Sequence, residues 1–174
     1  MVIELATTGD LDEIGKMFDD LNDYLEGNQY GPEWKKGIYP TRANAEQQLE
    51  NDCLYVLKIN HRIAGTLSLS CHQEEAYKKA SWNIEAFADE VLVIRLLAVH
   101  PDFIRQGVSS AMIEFAKSTA KAHNCKTIRL DVVNQNIPAC QLYEKSGFKY
   151  VATVDLGLPY DKLKWFRLYD FVIL

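Results

Sequence analysis

The segment Val91–Val99 constrains this chain more than any other. Both faces that a strand would present there are apolar, apart from Arg95, and a strand of that kind needs cover on both sides. The chain therefore builds a sheet with layers packed against it, and this segment runs near the middle. At 174 residues, 48% of them apolar, there is enough material for one sizeable core, so the expectation is a single domain over residues 1–174.

The flanking segments supply the layers. Residues 2–6 read as a short strand. Asp10 caps a helix, with Glu13 three residues on as in a capping box, and Leu11, Ile14, Phe18, Leu21 and Leu25 share one face. Residues 26–40 are irregular, and Tyr24, Tyr30, Trp34 and Tyr39 crowd around them. Thr41 caps a second helix through Glu50. Residues 53–59 and 62–71 alternate as strands about the turn pair Asn60-His61. Residues 72–89 form a polar loop with a helical turn near 74–79. The clearest helix spans 107–123, with Val108, Ala111, Met112, Phe115, Ala116, Thr119 and Ala122 on one stripe and Asn124 as its stop. Thr127–Val133 is a strand. Pro138 opens the next helix and Gly147 closes it. Strands near 148–154 and Trp165–Val172 complete an order β-α-α-β-β-β-α-β-α-β-β, which predicts an α/β (α+β) fold with a mixed central sheet flanked by helices.

Composition narrows the function. The net charge is −5 and the isoelectric point about 5.4. A sequence-independent grip on nucleic acid needs a basic face, so the balance favours a neutral or cationic small partner and no nucleic acid. Cys53, Cys71, Cys125 and Cys140 form no CxxC pair and read as reduced core thiols. His61, His72, His100 and His123 have no ligand spacing, so no metal is expected. The chain start lacks a basic segment leading into a long apolar one, and no stretch approaches the ~20 apolar residues of a membrane span. These features predict a cytoplasmic protein without a membrane partner.

Chemistry concentrates in residues 95–148. After Val99 a short loop, 100–106, leads into a helix opening with Gly107, Val108, Ser109 and Ser110. The first N–H groups of a helix are unpaired, its dipole is positive there, and small residues let an anion approach the backbone. That is a phosphate or pyrophosphate site, although a glycine before a helix is also an ordinary tight turn. Neither GxGxxG nor GxxxxGK[ST] is present. The wider pattern joins Leu96-Leu97-Ala98-Val99-His100-Pro101 to Arg105-Gln106-Gly107-Val108-Ser109-Ser110-Ala111-Met112. Leu130-Asp131-Val132, Asn136, Ala139 and Leu142-Tyr143-Glu144-Lys145-Ser146-Gly147-Phe148 follow. Together these resemble the GNAT family of acetyl-coenzyme A-dependent N-acetyltransferases.

The resemblance implies the acyl-CoA N-acyltransferase fold, with a mixed, mostly antiparallel sheet. It makes Leu97 and Val99 main-chain partners of the pantetheine arm of acetyl-CoA, and Arg105, Gln106, Gly107, Val108, Ser109 and Ser110 the pyrophosphate loop. Asn136 and Ala139 contact the cofactor, Asn136 near its reacting end. Tyr143 sits by the thioester sulfur as general acid, and Lys145 reaches the outer phosphate. The family loop usually begins with Arg or Gln and ends with Gly or Ala. Here Ile104 and Ser109 stand in those places, which shifts phosphate binding toward backbone N–H groups and Arg105.

Amide formation from a thioester requires an amine that has lost its proton, donors for the oxyanion and protonation of the departing thiolate. An alkylamine has a pKa near 10.4, so only about one molecule in a thousand is neutral at pH 7. Glu90 and Glu85, just before the central strand, are the candidate bases, and both also read as solvated loop charges. Arg95 either lines the acceptor pocket or forms a structural ion pair. Tyr143 also reads as a core tyrosine. Tyr24, Tyr30, Trp34 and Tyr39 either wall the acceptor site, where aromatic faces suit an alkylammonium, or form a hydrophobic cluster. The expected activity is N-acetyl transfer to a primary amine, small-molecule or peptide, in a ternary complex. A non-catalytic coenzyme A sensor and a transferase for another acyl group are the alternatives. The strand at 165–174 offers an edge for a homodimer.

Overall fold

The computed structural model describes residues 1–51, 53–158 and 164–173. In chain order the elements are β1 (Val2–Leu5), α1 (Leu11–Leu25), α2 (Arg42–Glu50), β2 (Leu54–Ile59), β3 (Arg62–Ser70), β4 (Val91–Val99), α3 (Val108–Ala122), β5 (Thr127–Val133), α4 (Ile137–Lys145), β6 (Lys149–Asp155) and β7 (Trp165–Val172). The strands follow the order β1-β2-β3-β4-β5-β7-β6. The β1–β2, β2–β3, β5–β7 and β6–β7 ladders are antiparallel, and β4–β5 is parallel. This is the mixed, mostly antiparallel sheet with helices that the sequence leads one to expect. None of the helices among the described residues is long and apolar enough to cross a membrane.

The chain forms two compact units. The first comprises Met1–Gly27, Trp34–Leu69 and Arg95–Phe115. Its core sets Leu11, Ile14, Met17, Phe18 and Leu21 of α1 against Leu54, Val56 and Ile63 of the β2–β3 hairpin and Leu96 and Ala98 of β4. Each fully buried side chain of this size contributes about 1.5–3 kcal/mol. The hairpin turns at Asn60 and His61, both with positive φ (50° and 65°), as a two-residue I′ loop requires. The cap of α1 differs from expectation. Asp10 folds its carboxylate back onto the N–H and hydroxyl of Thr7 (2.8 and 2.7 Å) and onto Lys58 (2.7 Å), closing a 3-10 turn ahead of the helix. Glu13 instead accepts the N–H of Ile63 at 2.8 Å. Thr7, one turn earlier, and the distant Lys58 and Ile63 thus take the groups of the expected box.

The second unit comprises Asn28–Glu33, Ser70–Ile94 and the chain from Ala116 onward. Tyr77, Val91, Val93 and Leu168 form its core, with Trp82, Val151 and Val154 packed on them. The buried carboxylate of Asp170 accepts from the backbone and side-chain nitrogens of Asn83 (3.1 and 2.7 Å), so its burial is matched by donors. β7 lies between β5 and β6, with ladders on both sides, and has no free edge to offer a second copy. The dimer edge expected at 165–174 is therefore corrected; Leu174 lies outside the described residues.

β4 contributes to both units. Residues 91–94 are buried throughout, whereas Arg95, Leu97 and Val99 are half-buried between the buried Leu96 and Ala98. Full burial on both faces thus holds only for the first half of the strand. Register pairs with β5 run Val91–Thr127, Leu92–Ile128 and Val93–Arg129. Leu96 has φ 47°, uncommon for a side-chain-bearing residue, and its carbonyl accepts from the Thr66 hydroxyl at 2.9 Å. α3 buries Val108, Met112, Ile113, Ala116 and Ala120, a stripe turned from the expected one: Ile113 and Ala120 join the core, Ala111, Phe115 and Thr119 are half-buried, and Ala122 is exposed. Asn124, with φ 57°, ends the helix as expected.

Candidate active site

Two chain segments carry the expected cofactor-site residues. The first runs from the end of β4 into α3. Leu97 and Val99 stand on the half-buried side of the strand with Arg95. A 3-10 turn, Pro101–Phe103, follows, with the His100 ring accepting the Asp102 N–H at 3.1 Å. Arg105 and Gly107 both adopt left-handed backbone, φ 64° and 81°. A Cβ on Gly107 would meet nothing within 4 Å, so its surroundings are open although its dihedral favours glycine. Arg105, Gln106 and Ser110 are exposed and Ser109 is half-buried. Gln106 spends its side-chain amide on the Asp102 carbonyl, 2.8 Å away. The Val108 side chain is buried and anchors the helix, which limits its role at a ligand to its N–H. Ala111 N–H bonds to the Gly107 carbonyl at 2.9 Å, leaving the preceding N–H groups as the unpaired first turn.

Gly65 makes this turn possible. A Cβ there would lie 2.9 Å from both the Ala98 carbonyl oxygen and Val108 Cγ1, and 3.1 Å from Met112 Sδ. Only glycine lets β3 pass so close to β4 and to the start of α3.

The second segment joins β5 to α4. Asn136 caps α4, its side-chain oxygen accepting the Ala139 N–H at 3.3 Å, with Pro138 in the first turn as expected. Tyr143 is buried at 6% exposure. Its ring lies edge-on to Phe148 at 5.6 Å and near Tyr169 at 6.5 Å. Burial, reinforced by the negative charge of Asp131, pushes the Tyr143 phenol well above its ordinary value, so it holds its proton across the physiological range. Lys145 is exposed on the last turn.

The two candidate bases differ. Glu90 is paired with Lys126 at 2.8 Å and accepts the Phe87 N–H at 2.9 Å, and these bonds hold its carboxyl below the usual range. Glu85 is exposed. Trp34 and Tyr39 pack edge to face at 5.8 Å against the first unit's core. Tyr24 and Tyr30 are exposed at 59% and 55% and make no ring contact among the described residues. The structure thus brings together two of the four aromatics.

Two polar residues were missed in the sequence. Asn22 is 3% exposed on α1, its amide donating weakly to the Pro40 carbonyl at 3.4 Å while its oxygen lacks a partner among the described residues. A polar side chain on an apolar helical stripe was the signal for it. Glu33 is bonded to Gln135, and nothing local signals that pairing. A cavity of about 400 Å³ is lined by Lys16, Asp20, Arg62, His100 and Asp102 among others. Within that lining Arg62 bonds to Asp102 at 2.8 Å and the His100 ring lies 3.5 Å from Asp20. All four thiols are free, and Cys71, unlike the other three, is exposed. Among the described residues no group of three acidic, His or Cys side chains is arranged to hold a metal ion.

The Acetyltransferase (GNAT) family model matches residues 16–148, and the chain belongs to that family. Streptothricin acetyltransferase of Escherichia coli is 30% identical over 99 residues, 57% of this chain and 48% of that protein; the match spans about half the length of that curated relative. An acetyltransferase of the GNAT family from Streptococcus agalactiae 2603 has TM-score 0.81 at 18% identity, covering 99% of this chain and 95% of that one. The ribosomal-protein-S18-alanine N-acetyltransferase of Escherichia coli has TM-score 0.69 at 17% identity, with 99% and 93% covered. At such identities the likeness to solved structures concerns the fold.

Proposed function

We propose that this chain is an N-acetyltransferase that moves an acetyl group from acetyl-CoA to a primary amine by direct attack in a ternary complex. The carrying observation is the exposed left-handed turn at Arg105 and Gly107 that opens α3, with free space over Gly107. A backbone so shaped admits a pyrophosphate to the first N–H groups of the helix, and the helix dipole favours that charge. Ile104 carries no polar group, so Arg105 supplies the side-chain cation. The main chain of Leu97 and Val99 pairs with the pantetheine arm. Bound there, acetyl-CoA supplies an activated acyl carbon. Tyr143, protonated through its burial, gives its proton to the departing sulfur. Trp34 and Tyr39 offer aromatic faces to a cationic acceptor. Glu90 and Glu85 remain candidate bases, Glu90 at the disadvantage of its bond to Lys126. The net charge of −5 suits a cationic acceptor over a nucleic acid.

The test is thiol release from acetyl-CoA in the presence of a panel of polyamines, aminoglycosides, amino acids, peptide N-termini and streptothricin, the last from the name of the Escherichia coli relative. Turnover with an amine supports the reading. Acetyl-CoA binding without turnover on any amine identifies a sensor instead, and absence of binding overturns the cofactor site.

A further inference from the structure

We propose that Glu33 is the carboxylate that receives the acceptor's amine and takes its proton. The proposal rests on the acetyl-transfer reading above and deepens it. Glu33 ends the segment Asn28–Glu33 of the second unit. That segment is tightly turned: the Asn28 carbonyl accepts the Gly31 N–H at 3.1 Å and the Asn28 side chain accepts the Tyr30 N–H at 3.0 Å. Glu33 itself has φ 55°, a conformation that costs a non-glycine residue about 1–3 kcal/mol and persists only where the surroundings enforce it.

The carboxylate is held on one side only. Gln135 Nε2 donates to Oε1 at 2.6 Å. Oε2 is shut off from solvent and accepts no hydrogen bond among the described residues, and no ion pair there reaches Glu33. A buried oxygen left without a donor costs about 1–3 kcal/mol, more when charged, so each such atom in a native structure demands an explanation. Its chemical complement is a positively charged N–H donor, and a primary ammonium supplies one. Gln135 is neutral, so it orients the carboxylate without cancelling its charge. Glu90 is the contrast, because Lys126 already occupies it. Gln135 also directly precedes Asn136, the cap of the helix that carries Tyr143. One short turn thus fixes both Glu33 and the start of α4. Glu33 is half-buried as a residue, although Oε2 itself is covered.

The acceptor ammonium gives one proton to Glu33. The nitrogen lone pair bonds to the acetyl carbon as the carbon–sulfur bond breaks and sulfur leaves with its electron pair. The sulfur takes the Tyr143 proton, the second nitrogen proton returns to the Tyr143 oxygen, and Glu33 releases its proton to solvent. No other reactant is needed.

The experiment compares the full chain with Glu33→Gln, using acetyl-CoA and the best amine of the panel at pH 7 and pH 9.5, alongside acetyl-CoA affinity by calorimetry and thermal melting. The variant is expected to keep acetyl-CoA affinity and to melt no lower than wild type. Its kcat/KM falls about 10²-fold at pH 7. The deficit shrinks at least about ten-fold at pH 9.5, where the neutral fraction of an amine of pKa near 10.4 has risen about 300-fold. A variant within about three-fold of an active wild type at pH 7, or a deficit equal at both pH values, overturns the proton-accepting role while acetyl transfer stands. A wild type that binds acetyl-CoA yet acetylates no amine overturns both. If Glu33→Gln melts well below wild type, Glu33→Asp takes its place: a loss of about ten-fold or more in a folded variant supports the role, and unchanged kinetics overturns it.

Discussion

Single residues carry the proposed proton transfers, and their environments set their roles. Tyr143 is buried beside Phe148 and Tyr169, so its ring is core, and burial keeps the phenol protonated, which is the state the proposed acid role starts from. Tyr143→Phe preserves the packing. It is expected to lower kcat about 10²-fold with acetyl-CoA affinity unchanged, as kinetics beside calorimetry will show; unaltered kcat removes the acid role. Asn136, carried over from the family motif as a cofactor contact, is an N-cap here. Asn136→Ala is expected to destabilise the fold by about 1 kcal/mol, measured by denaturant unfolding. An effect of that size leaves room for a ligand role only if acetyl-CoA affinity also falls. These side-chain duties were half legible: the motif singled the residues out, but not what holds them.

At the scale of elements, the decisive unit is β4 with its loop and α3. The left-handed turn before the helix needs glycine at position 107. Gly107→Val forces a branched side chain into that region at a cost of about 1–2 kcal/mol. The loop is expected to relax away from its cradle, and the acetyl-CoA dissociation constant to rise about ten-fold or more. Gly65→Val acts differently, since its Cβ meets the Ala98 carbonyl and Val108 at 2.9 Å. Overpacking of that kind costs about 1–3 kcal/mol, which lowers the melting temperature by roughly 2–12 °C for a chain of this length. A melt within error of wild type would show that β3 can withdraw from α3. The turn at Asn60-His61, the stop at Asn124 and the order of elements were legible because each rests on chemistry within a few residues. The cap at Asp10 was misread because Thr7 and Lys58 claim its carboxylate, and Lys58 is distant in sequence.

For the whole molecule, the response to acid follows from the carboxylates. Burial works against ionised Asp10, but its bonds from Lys58 and Thr7 prevail and hold it below its ordinary 3.8. Lys126 does the same for Glu90 and Arg62 for Asp102. A carboxyl whose pKa is lower in the folded state stabilises the fold above its unfolded pKa, and that contribution is lost as pH falls through the folded value. The urea midpoint is therefore expected to stay level between about pH 8 and pH 5 and to drop below about pH 4. Asp10→Asn is expected to lower stability by about 1 kcal/mol at pH 7 and to converge with wild type in acid. A constant gap at all pH values would show that packing, not charge, accounts for Asp10.

The amino-acid sequence alone determined the element order, the mixed sheet and the loop-to-helix turn at Gly107, because apolar periodicity, caps and glycine dihedrals act over a few residues. Only the tertiary structure placed β7 between two neighbours, left half of β4 partly open, paired Glu90 with Lys126, and set Glu33 against Gln135 across 102 positions. Those outcomes depend on which distant groups reach a side chain first. Desolvation and pairing in the folded interior decide that, and neither leaves a local mark on the chain.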